Sequence, residues 1–91
     1  MAEKSFSEEQ QDQLLFMMLI QQNEQIALMG LGKEKNPASD TVEKDLKTAK
    51  FAIDTLRMLE KYTANNINKD LREYLTKTLS NLRLSYSEEV K

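Results

Sequence analysis

The side chains able to do chemistry in this sequence are carboxylates, ammonium and guanidinium groups, hydroxyls and amides. It has 15 Asp and Glu, 13 Lys and Arg, three Tyr, and no His, Cys or Trp in 91 residues. A Ser-His-Asp triad, a thiol nucleophile and a Glu-x-x-His di-iron site each lack an essential residue. An ordinary zinc site needs Cys or His. A hard cation held by Glu24 or Glu60 with carbonyl oxygens is the remaining metal chemistry. Neither residue belongs to a calcium-loop spacing, and no Gly motif cradles a phosphate. No catalytic residue, cofactor or metal is therefore expected. An enzyme would need a pocket lined by Asp, Glu, Tyr or Arg.

The net charge of -2 argues against steering toward nucleic acid, whose binders carry a basic stripe. The first 13 residues are acidic, with Glu3, Glu8, Glu9 and Asp12 against Lys4. The longest apolar run, Leu14 to Ile20, falls far short of the roughly 20 residues that span a bilayer. It also lacks the basic leader of a secretory signal. The polar neighbours of that run are Gln, Glu and Asp, which disfavours a membrane surface. The expected setting is the cytoplasm, with no membrane partner.

These groups must be positioned by helices. Pro37, Gly30 and Gly32 cluster in one stretch, and Ala64-Asn65-Asn66 makes a second break. Between the breaks lie three segments of helix-forming residues. The punctuation predicts an all-α single domain over 1–91, with helices at about 7–31, 41–63 and 68–87 and connections at about 32–40 and 64–67. Ser7 with Gln10 and Asp40 with Glu43 have capping-box spacing, and Asn68 is the expected third cap. The second and third helices are expected to form an antiparallel hairpin.

The faces then set the assembly. The third helix has one apolar face, built from Leu71, Tyr74, Leu75, Thr78, Leu79, Leu82 and Tyr86, with Leu84 outside it. The second carries Val42, Leu46, Ala49, Ile53, Leu56 and Leu59 on one side and Phe51, Met58 and Tyr62 on the other. The first is apolar all round from Leu14 to Ile20, a pattern of helices buried on every side. Three helices offer each other too little cover for so many apolar directions. The expectation is an oligomeric helical bundle, most simply a homodimer. The interface would involve Leu14, Phe16, Met17, Ile20, Leu28, Leu31, Phe51, Met58 and Tyr62. A groove for another protein's helix is the rival. Gln22, Asn23 and Glu24 interrupt the first helix, and such polar residues can fix register in an assembly.

An ordered run of partial motifs follows the same segments: Asp45-Leu46-x-x-Ala49, Ile53-Asp54-x-Leu56-x-x-Leu59, Thr63-x-x-Asn66-Ile67 and Leu82-Arg83-x-x-Tyr86. With Ala27, Leu31-Gly32 and Asn36-Pro37 upstream, it resembles the bacterial domain-of-unknown-function family eighteen-forty-four over about residues 14 to 87. Tyr62 and Asn65 depart from the pattern, where Lys and Gly are expected. The resemblance implies a small helical protein and no known activity. For its matched polar residues structural contacts are expected. Asp54 should pair with Lys50 or Arg57, Asp45 should sit near a positive helix end, and Arg83 should meet a carboxylate from a neighbouring helix. Tyr86 should place its ring in the core and its hydroxyl at the rim. A ligand site built from Asp54, Asn66 and Arg83 is the alternative. The expected function is a non-catalytic structural or adaptor module acting through homo-oligomerisation and protein contacts. The alternative is a nucleic-acid-associated or small-ligand-binding regulatory protein.

Overall fold

The computed structural model describes residues 7–91, so Glu3 and Lys4 of the acidic stretch lie outside it. It contains α1 (Glu8–Gly30), α2 (Leu46–Tyr62) and α3 (Lys69–Glu89), and no strand among the described residues. Each start is fixed by a side chain that satisfies an orphan amide. Ser7 and Gln10 form the reciprocal capping box, and Asn68 accepts from the Leu71 amide at 2.8 Å. At the end of α1, Gly32 takes the left-handed conformation, φ 79°. Its amide donates to the Met29 carbonyl while Lys33 donates to Leu28. This paired closure is the Schellman arrangement, and Gly carries no Cβ penalty there.

The start of α2 corrects the expectation. The helix begins at Leu46 rather than near residue 41, and its cap is Asp45, not Asp40. Residues 36–41 are held in a local turn. The amide of Asn36 donates to Thr41, Ser39 and Asp40 donate back to Asn36, and Asn36 Oδ1 accepts from Ala38. Asp40 sits at φ 56°, which Asp tolerates better than most residues. Val42, placed on the core face by the sequence reading, is outside the helix and exposed. A capping-box spacing alone does not reveal a competing Asx turn.

The Asp45 carboxylate accepts from the Thr48 amide at 3.2 Å and from its hydroxyl at 2.9 Å. The amide bond, then the hydroxyl bond, hold its pKa below the usual carboxylate range. A depressed native pKa adds stability above the unfolded pKa and loses it as pH falls through the native value. Wild-type stability should therefore decline more steeply below about pH 4 than that of Asp45→Asn. Denaturant midpoints of both proteins between neutral and acid pH measure this. Equal acid slopes would show that the cap's charge contributes nothing.

α1 packs most extensively on α2, with α3 closing the third side. The central cluster is Ile20, Ala27 and Leu31 from α1 and its cap; Ala49, Ala52, Ile53 and Leu56 from α2; and Leu75, Leu79 and Leu82 from α3. The α3 face is as the periodicity predicts, with Leu71 and Thr78 also buried and Leu84 exposed. The hairpin is antiparallel: Glu60 accepts from Thr76 near the turn, and Lys44 pairs with Glu89 at the other end. Small residues let α1 and α2 approach closely. A Cβ built on Gly30 would lie 2.7 Å from the Asp45 carbonyl oxygen and 2.9 Å from the Ala49 amide nitrogen.

Candidate interaction surface

The residues assigned from sequence to an interface divide into three groups. Ile20 and Leu31 are 0% and 1% exposed and belong to the chain's own core. They are not available to a partner, which corrects that part of the assignment. Phe16 and Leu28 are half-buried and pack against the same core. Leu14, Met17, Phe51, Met58 and Tyr62 are exposed. An apolar turn of helix thus reads as interface from sequence although part of it faces inward; only tertiary contacts separate the two.

Part of the exposed apolar surface of α1 forms an ordered row. Leu15, Leu19, Gln22, Ile26 and Met29 are spaced four and three residues apart in alternation, the repeat that keeps one seam along a helix. Leu15, Leu19 and Ile26 are exposed and Met29 half-buried. On α2, Phe51, Thr55, Met58 and Tyr62 repeat the same alternation. Phe51 is 75% exposed and Tyr62 68% exposed. A polar Gln22 within the first row and a Thr55 within the second leave both rows predominantly apolar.

The α1 row borders the cleft between α1 and α2 at Ile26 and Met29. This shallow cleft is lined by Ile26, Met29 and Gly30 on one side and Asp45 and Thr48 on the other. From Ile26, one heptad back along α1 is Leu19. From Thr48, heptads forward along α2 reach Thr55 and then Tyr62. Heptad spacing from the cleft thus puts both rows on the side of the α1/α2 pair where the cleft opens. Leu15 and Phe51 were not recognised as parts of one face from sequence, because spacing orders residues within a helix and says nothing of the neighbour.

Leu14 and Met17 lie elsewhere, lining a cleft of about 350 Å³ between α1 and α3 with Gln10, Gln13, Asn68 and Tyr74. A smaller adjoining cleft brings Glu9 and Asp12 near Asn66. Among the described residues no three acidic side chains group to hold a metal ion.

The matched polar residues hold local contacts. Asp54 pairs with Lys50 at 2.8 Å and lies 4.0 Å from Arg57. The Asp54 hydrogen bond, then its charge, raise the Lys50 pKa. Asp45 is the cap of α2, and the Asn66 amide donates to the Thr63 carbonyl. Tyr86 is half-buried against the core. Arg83 is exposed and makes no ion pair or hydrogen bond among the described residues, so its expected carboxylate partner is not found. No bond joins Asp54, Asn66 and Arg83 into a site.

A family model described as Domain of unknown function (DUF1844) matches residues 13–88. The chain belongs to this family. The match spans most of α1 and all of α2, so both apolar rows lie within the DUF1844 domain. Neither the curated proteins nor the solved structures contain a match to the chain. No described helix is long and apolar enough to cross a membrane.

Proposed function

We propose that this DUF1844 protein is a non-catalytic structural or adaptor module that works as a homodimer through the α1/α2 face. The observation that carries the reading is the pair of exposed apolar rows at coiled-coil spacing on one side of the molecule. Contiguous apolar surface of this kind marks an interaction site more often than an accident of composition. Burying it against a second copy removes apolar area from water, the dominant favourable term in association. A self-complementary face also requires no further partner to complete it. Gln22 within the row supplies the polar position that sets register in helical assemblies.

Light scattering should give the mass of a dimer at micromolar concentration. The double variant Leu15→Glu/Leu19→Glu should give a monomer with unchanged helical circular dichroism, because both side chains stand outside the core. Leu84→Glu, on the exposed side of α3, should keep the dimer mass. A wild-type monomer under these conditions overturns the proposal.

A further inference from the structure

The charges of the helices that carry the two rows are segregated. α1 contains Glu8, Glu9, Asp12 and Glu24 and no Lys or Arg, a net of -4. α2 contains Lys47, Lys50, Arg57 and Lys61 against Asp54 and Glu60, a net of +2. Within the chain this opposition goes unused: among the described residues no ion pair joins α1 to α2, and Asp54 is paired on its own helix. Lys47, Asp54 and Lys61 form a heptad-spaced line beside Phe51 and Met58, so the α2 row is flanked by ammonium groups.

Two hairpins can stack face to face about a twofold axis in two ways. An axis perpendicular to the helices sets α1 on α1 and α2 on α2 with directions reversed, which brings Lys47 of one α2 toward Lys61 of the other. An axis parallel to the helices sets α1 of each copy on α2 of the other. We infer that the dimer adopts the second arrangement, a four-helix bundle in which the α1 row of one copy, led by Glu8 and Asp12, packs on the α2 row of the second, which ends beside Lys61. The inference rests on the homodimer proposed above. The α1 and α2 of one chain run antiparallel, since Gly30 at the end of α1 meets Asp45 and Ala49 at the start of α2. Rotation about an axis along the helices preserves their directions, so every neighbouring pair in the bundle is antiparallel, as in up-down bundles. The like-charge arrangement is disfavoured for the same electrostatic reason that complementary patches select partners.

Rotation about that axis also preserves height. Leu19 stands eleven residues before Gly30 (30 − 19), and Met58 eleven after Lys47 (58 − 47), the middle of the Asp45–Ala49 contact. Leu19 of one copy therefore faces Met58 of the other. The chain has no Cys, so an introduced thiol is the only one present. Leu19→Cys and Met58→Cys proteins, refolded together and oxidised, should cross-link to dimer mass on a non-reducing gel. Each variant alone should cross-link several-fold less. Self-linking by Leu19→Cys as strong as the mixture would overturn the inference in favour of α1 on α1. So would a confirmed dimer in which no combination links. A wild-type monomer would instead remove the homodimer itself. Salt gives a second readout: the dissociation constant should rise several-fold from low to high NaCl, because opposite charges are screened. A dissociation constant that falls with salt would indicate opposed like charges and overturn the pairing.

Discussion

Replacing Ile20 by Glu is expected to abolish folding of the single chain at neutral pH. Ile20 is fully buried at the centre of α1, within the cluster shared by all three helices. Two costs add. Deleting a buried aliphatic side chain of this size removes about 2–5 kcal/mol. Placing a carboxylate in the same space, with no cation in the core cluster, adds several kcal/mol or forces its protonation. A domain of this length has a total stability of roughly 5–14 kcal/mol. Circular dichroism of Ile20→Glu should show loss of helix, in contrast with the retained helix of Leu15→Glu/Leu19→Glu. Leu15 and Leu19 lie five residues and one residue before Ile20 on the same helix and are chemically alike. A folded, merely dissociated Ile20→Glu protein would mean that Ile20 faces a partner rather than the core.

Gly30→Ala carries the second large effect, and its sign is decided by a competition. In an open helix, Ala is favoured over Gly by about 1 kcal/mol. Here the added methyl would stand 2.7 Å from a backbone oxygen and 2.9 Å from a backbone nitrogen. Neither atom can rotate away. The Asp45 amide also donates to the Gly30 carbonyl at 2.8 Å, so parting the segments lengthens that bond. Overpacking of this kind costs about 1–3 kcal/mol, and more where the backbone must move. The net expectation is destabilisation by about 2 kcal/mol, read as a lower denaturant midpoint with an unchanged slope. A stabilised Gly30→Ala protein would show that α1 and α2 separate at no cost.

The sequence was legible where one local rule acted alone. The face of α3 from Leu71 to Tyr86 follows from a 3.6-residue period, and Ser7 and Asn68 follow from capping chemistry. It misled where two local rules competed. Asp40 and Glu43 match a capping box, but Asn36 and Pro37 favour a turn over the same residues, and the helix waits for Asp45. It was silent on what lies between elements. Ile20 and Leu15 are both apolar residues of one run, and only the position of α2 and α3 assigns one to the core. Likewise Phe51 and Ile26 become one surface only when α1 and α2 are laid side by side. The family resemblance extended the helical reading along the chain without adding a site, since Asp45, Asp54 and Asn66 resolve into a cap, an ion pair and a turn contact, Tyr86 packs on the core, and Arg83 bonds to none of them.

The bond between Gly30 and Asp45 has a bearing on engineering. The connection from Leu31 to Lys44 leaves the helices and returns to the same point, its two ends tied by that bond and its far tip closed by Asn36 and Thr41. The tip residues Pro37 to Asp40 are exposed, and they lie beyond the tie. Extra sequence inserted there would lengthen a loop whose ends are already joined, and each doubling of its length costs only about 0.6 kcal/mol in closure entropy. The helices on either side would keep their spacing. The tip is thus a natural attachment point for a reporter or affinity module that leaves both chain termini free.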